Sequence, residues 1–73
     1  MIIMKHYTKF SYGMDLRKEE IICLDDIITV SKKEQVVFIS FKDKHDNMYE
    51  FPTTFEATTV FNKIWELLVK EWK

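Results

Sequence analysis

One cysteine, one glycine and one proline in 73 residues remove several classes of protein at once. The lone Cys23 allows no disulfide within the chain and no four-cysteine zinc site. The lone Gly13 excludes the glycine-rich loops whose backbone cradles phosphate, so Walker and dinucleotide fingerprints are missing. With Pro52 the only proline, flexible linkers and low-complexity tracts are excluded as well. Charge of one sign is also lacking. Eleven bases against twelve acids leave −1, and no whole-molecule field draws nucleic acid or anionic lipid. No stretch approaches the roughly 20 apolar residues of a membrane helix. The opening Met1-Ile2-Ile3-Met4-Lys5 lacks the apolar core of a signal peptide, and either Met1 or Met4 serves as a start. A reducing, cytoplasmic setting is the expectation.

What is present is greasy and aromatic: 47% hydrophobic residues and 15% aromatic in 8.9 kDa. That is enough apolar mass to fold, and the length allows one domain, residues 1–73. Charge is uneven along it. Residues 1–18 carry a net +3, residues 19–26 a net −4, and the rest balances to zero. A basic start followed by an acidic knot steers a partner, or is two solvated segments that neutralise each other.

Period-two alternation and β-branched runs predict strands at about 2–10, 20–24, 27–31, 35–42 and 47–51. Asp25-Asp26 predicts a tight turn or bulge, and Ser31 to Glu34 a charged turn. No Asn-Gly or Asp-Gly occurs, so hairpin loops longer than two residues are expected. Pro52 ends the last strand because it has no N–H for a ladder. Thr53-Thr54-Phe55-Glu56 has the spacing of a capping box. Beyond it Ala57, Val60, Phe61, Ile64, Trp65, Leu68 and Trp72 recur every three or four residues, which predicts a helix over about 54–72. The expected fold is α+β: a small twisted antiparallel sheet of four to five strands packed on one C-terminal helix.

The apolar pattern is wider than one core needs. On the strand at 35–41, Val36, Phe38 and Ser40 fall on one side and Val37, Ile39 and Phe41 on the other. A sheet with water on one face alternates more cleanly, so both faces of this strand call for cover. One helix covers one face. Curling of the sheet, the N-terminal strand folding over it, or another molecule must close the second, and a second copy is the commonest partner in symmetric pairs. Leu67 and Val69 widen the helix stripe further, and Trp72 lies one residue from the end, where helices fray.

Chemistry is sparse. No Gly-x-Ser-x-Gly elbow and no His-Glu-x-x-His pair occurs. Asp43-Lys44-His45-Asp46-Asn47 gathers metal-ligand types but carries a lysine and lacks the glutamate that completes a calcium loop, so it reads as a hairpin tip. Adjacent Asp25 and Asp26 point apart on a strand and make no acid–base pair. Cys23 sits in Ile21-Ile22-Cys23-Leu24 as a small buried hydrophobe. No catalytic residue, cofactor or metal is expected.

The leading expectation is a non-enzymatic interaction domain, homodimeric, that regulates or inhibits a protein partner. Short aromatic-rich chains of this type include inhibitors encoded by phages and other mobile elements. Its candidate contact residues are Trp65, Trp72, Tyr7 and Phe10, since Trp and Tyr dominate interface hot spots. The alternative is a nucleic-acid-binding module using Lys5, Tyr7, Lys9 and Phe10, bases interleaved with stacking rings. An edge strand guarded by lysines accounts for the same residues.

Overall fold

The nearly continuous apolar run Val36 to Phe41 becomes the middle strand of a three-stranded antiparallel sheet in the computed structural model, which describes residues 5–43 and 46–71. The strands are β1 (Tyr7–Tyr12), β2 (Lys18–Cys23), β3 (Ile27–Lys33), β4 (Val36–Phe41) and β5 (Asn47–Glu50), followed by helix α1 (Thr54–Glu71). Residues 2–4 of the expected first strand, Lys44 and His45 of the expected loop, and Trp72 lie outside the described residues.

The α+β class holds, but the single sheet of four to five strands does not form. β1 and β2 make a two-stranded sheet of their own, and β3-β4-β5 make a second. The reason lies at residues 23–27. The β1–β2 ladder extends until the Leu24 N–H bonds the His6 carbonyl at 2.7 Å. One 3₁₀ turn, Leu24–Asp26, then swings the chain into β3 on a new course. Asp25 seals this corner: its Oδ2 accepts the His6 backbone N–H at 2.8 Å.

Strand ends differ from expectation too. Ser11 and Tyr12 remain in β1, paired with Glu19 and Lys18, and the turn falls later. There Gly13 takes φ +96°, and Leu16 is left-handed at +58°. β3 runs through Lys33, and only Glu34 and Gln35 connect it to β4. This two-residue turn puts Glu34 at φ +54°, a conformation usually given to Gly or Asn. Gln35 holds the turn from below. Its carbonyl accepts the Phe51 N–H at 2.9 Å, and its Nε2 donates to the carbonyls of Phe51 (3.1 Å) and Pro52 (2.7 Å).

The capping box forms with one exchange. The Glu56 N–H reaches the Thr53 hydroxyl oxygen at 3.4 Å, as the spacing requires. The Glu56 carboxylate accepts a short hydrogen bond from that hydroxyl instead of turning back to the Thr53 N–H.

One core unites the parts: Phe10, Ile22 and Leu24 from the hairpin and its corner, Val37, Ile39, Phe41, Tyr49 and Phe51 from the sheet, and Ala57, Ile64 and Leu68 from the helix. Register assigns the faces. Lys32, Val37 and Tyr49 form one cross-strand row, Val30, Ile39 and Asn47 the next, and both look inward. Three rings join the two sheets. Phe10 and Tyr12 each meet Tyr49 edge to face, with centroids 5.0 and 4.9 Å apart. The hairpin and the helix therefore share the inner face of the larger sheet, and folding of the N-terminal strand over the sheet takes place on the helix side.

Candidate interaction surface

Alternation in β1 separates the candidate residues before any packing is considered. Tyr7, Lys9 and Ser11 point away from the core, and Thr8, Phe10 and Tyr12 towards it. Tyr7 is exposed, as are Lys5 and Lys9, whereas Phe10 retains only 7% of its surface. Phe10 is thus a core residue. It offers no contact ring to a partner and no stacking platform to a base, a correction to both expectations that included it. The parity of the strand carried this signal, since it set Phe10 on the face opposite Lys5, Tyr7 and Lys9.

The outer face of the hairpin has three cross-strand rows: Tyr7 with Cys23, Lys9 with Ile21, and Ser11 with Glu19. Ile21 is two-thirds exposed, at 66%. Lys9 Nζ lies 3.7 Å from Glu19 Oε2, so the basic start of the chain folds against its acidic neighbour. Both side chains are largely in water, and such a pair is worth about 0–1 kcal/mol. Its effect is on the field: the lysine shares its face with an acid.

Asp25 serves the fold. Its carboxylate takes the His6 N–H, stands 3.6 Å from His6 Nδ1 and receives the Cys23 thiol at 3.9 Å. The His6 backbone hydrogen bond is the main influence holding its pKa below the ordinary carboxylate value. A carboxyl with a lowered folded pKa stabilises above its unfolded pKa of about 3.9, and that contribution fades as pH falls through the lower folded value. Asp25→Ala is therefore expected to flatten the acid limb of a stability–pH curve below pH 4 and to speed amide exchange at His6. An unchanged His6 exchange rate would contradict the assigned hydrogen bond.

Cys23 is half-buried, not buried. It lines an open cleft with Glu20, Ile21, Ile22, Asp26, Phe41, Asp43 and Asn47. Among the described residues, no group of three His, Cys, Asp or Glu is placed to hold a metal ion. No helix among them is long and apolar enough to cross a membrane.

Two further apolar surfaces remain. On α1, Trp65 is 48% exposed beside Val69, next to the half-buried Phe61. These residues flank the core stripe of Ala57, Ile64 and Leu68, so the excess width read from the periodicity is displayed on one side of the helix. The other surface is the outer face of β3-β4-β5. Its central row is Ser31, Phe38 and Met48, and the next is Lys33, Val36 and Glu50. Met48 is 59% exposed, and Phe38 and Val36 are half-buried. The β1–β2 turn borders the β5 edge of this face, where Tyr12, Gly13, Met14 and Lys18 line a cleft with Met48 and Glu50. There the Gly13 N–H donates to the Glu50 carbonyl at 2.6 Å. The structure thus brings Tyr7 and Trp65 to the surface on separate elements. It adds Ile21, Met48, Phe38 and Val36, which the search for aromatic anchors missed although the unbroken hydrophobicity of β4 pointed to two of them. Comparison with protein-family models, with curated proteins and with solved structures finds no match to this chain.

Proposed function

We infer that this chain is a protein-interaction domain that acts by contact, self-associating and binding a protein partner whose activity it regulates or inhibits. The observation carrying this reading is the amount of large apolar side chain left in water by so small a domain, on the helix flank at Trp65 and Val69, on the hairpin at Tyr7 and Ile21, and on the outer sheet face at Met48. Isolated exposed apolar residues are ordinary, but grouped ones mark interaction sites. Nucleic-acid contact through Lys5, Tyr7, Lys9 and Phe10 is the weaker reading, because Phe10 is in the core and Lys9 faces Glu19.

The test is site-specific photo-crosslinking in the native host, with the reactive group at position 65 or 7 and, as control, at Lys63 on the exposed side of the helix. One protein, or the chain itself, is expected to be trapped from positions 65 and 7 and not from 63. Equal or absent yield at all three would dismiss the reading.

A further inference from the structure

The outer face of β3-β4-β5 is complementary to itself, which singles out its occupant. Lys33 on β3 and Glu50 on β5 are both exposed and stand at opposite edges of one row, with Val36 between them, and Lys18 of the β1–β2 hairpin shares a cleft with Glu50 on the same chain. The next row along carries Ser31 at the β3 edge, Phe38 in the middle and Met48 at the β5 edge. A two-fold axis running parallel to β4, between two stacked sheets, reverses the strand order of the second copy over the first. β3 then lies above the partner's β5. Lys33 meets Glu50 of the second copy, Glu50 meets the second Lys33, and Val36 and Phe38 meet their own equivalents. The other in-plane axis, perpendicular to the strands, sets β3 over β3 and matches no opposite charges.

Resting on the interaction reading above, we propose that a second copy of this chain docks on the outer face of β3-β4-β5, sheet on sheet, with Val36 and Phe38 in the middle, Met48 at the edge over Ser31 of the second copy, and two reciprocal Lys33–Glu50 pairs at the rim. Sheets stacked in this way lie about 10 Å apart, close enough for long side chains at the edges to meet. Self-complementarity of one patch is the requirement of a two-fold pair. The size of the face sets the strength. Three strands, matched along the four residues of β5, give a footprint of about 190 Å². That is well under the roughly 800 Å² per partner of a stable complex, so the pair is weak and reversible. At such a rim, charges choose the partner and the register more than they raise affinity.

Sedimentation equilibrium of the full chain between 5 and 500 µM at low salt tests this, with thermal unfolding of each variant as a folding control. The wild type is expected to be largely monomeric at the lowest concentration and to show a dimer fraction that rises towards the highest, as so small an interface requires. Lys33→Glu and Glu50→Lys are each expected to weaken dimerisation tenfold or more, because both rim pairs become like-charged. Mixing the two variants restores pairing, since every rim contact is again opposite in sign, and the double variant pairs with itself as the wild type does. A wild-type dimer that ignores both reversals but is lost in Trp65→Ala overturns this proposal and leaves the interaction reading in place. A wild type that stays monomeric to 500 µM overturns the proposal together with self-association, and partner binding then rests on the crosslinking result alone.

Discussion

Phe51→Ala is expected to remove about 3–5 kcal/mol of stability, the usual loss when a buried phenylalanine is truncated. Phe51 is fully buried and follows directly on β5, in the short connection to α1. Its backbone is clamped by Gln35, which takes the N–H and returns a side-chain hydrogen bond to the carbonyl. With the backbone pinned, the surroundings have little freedom to close on the space left, and the large end of the range applies. A domain of 73 residues has about 4–11 kcal/mol in total. The variant should therefore lose at least about 12 °C in thermal midpoint, at about 4–8 °C per kcal/mol, or be partly unfolded at room temperature. A loss below about 1 kcal/mol in urea denaturation would contradict the place assigned to this ring.

Tyr49→Ala is expected to be comparably severe, about 3–4 kcal/mol, with a different signature. Tyr49 is the ring against which both Phe10 and Tyr12 pack edge to face. Each such contact contributes about 0.5–1.5 kcal/mol beyond the area it buries. Their removal loosens the hairpin on the larger sheet, leaving the Gly13 N–H bond to the Glu50 carbonyl at 2.6 Å, so amide protection should fall further in β1 and β2 than in β3 and β4. Uniform loss across all strands would show that the hairpin is held in some other way. Tyr49→Phe separates ring from hydroxyl. It keeps the packing and deletes the phenol oxygen, which receives the Asn47 side chain at 3.2 Å. Burial raises the pKa of that phenol. The stability it confers is complete below about pH 10 and fades as pH rises through the higher folded value, so the phenylalanine variant should lose this part of the alkaline limb.

Local pattern was legible in the sequence, and assembly was not. The helix could be read because its period and its capping residues agree, and β4 because a short run of β-branched and aromatic residues leaves little choice. The split into two sheets could not be read, since alternation says which residues form strands but not which strands pair. What divides them is a contact between Asp25 and His6, 19 residues apart, through a backbone N–H that no side-chain pattern reports. The Glu34-Gln35 turn was hidden for a simpler reason: a glutamate occupies the left-handed position and gives no compositional signal. Of the candidate contact residues, Tyr7 and Trp65 lie at the surface, and Phe10 was misread because type was allowed to outweigh its parity on the strand. Met48 drew no attention as a single methionine in a short strand, and only the register with Phe38 and Ser31 makes it part of a surface.

The chain order of the elements also sets how the molecule comes together. β1 pairs with β2, β3 with β4, and β4 with β5, each partner being the next strand along. Every ladder therefore closes a short loop, with little entropy spent on bringing its ends together. Domains dominated by such near-neighbour pairing fold faster than those stitched from distant segments. Docking of the first hairpin joins Phe10 and Tyr12 to a tyrosine almost forty positions later, and this is the step that must wait for β5 to emerge. During synthesis the hairpin is made first and anchored late.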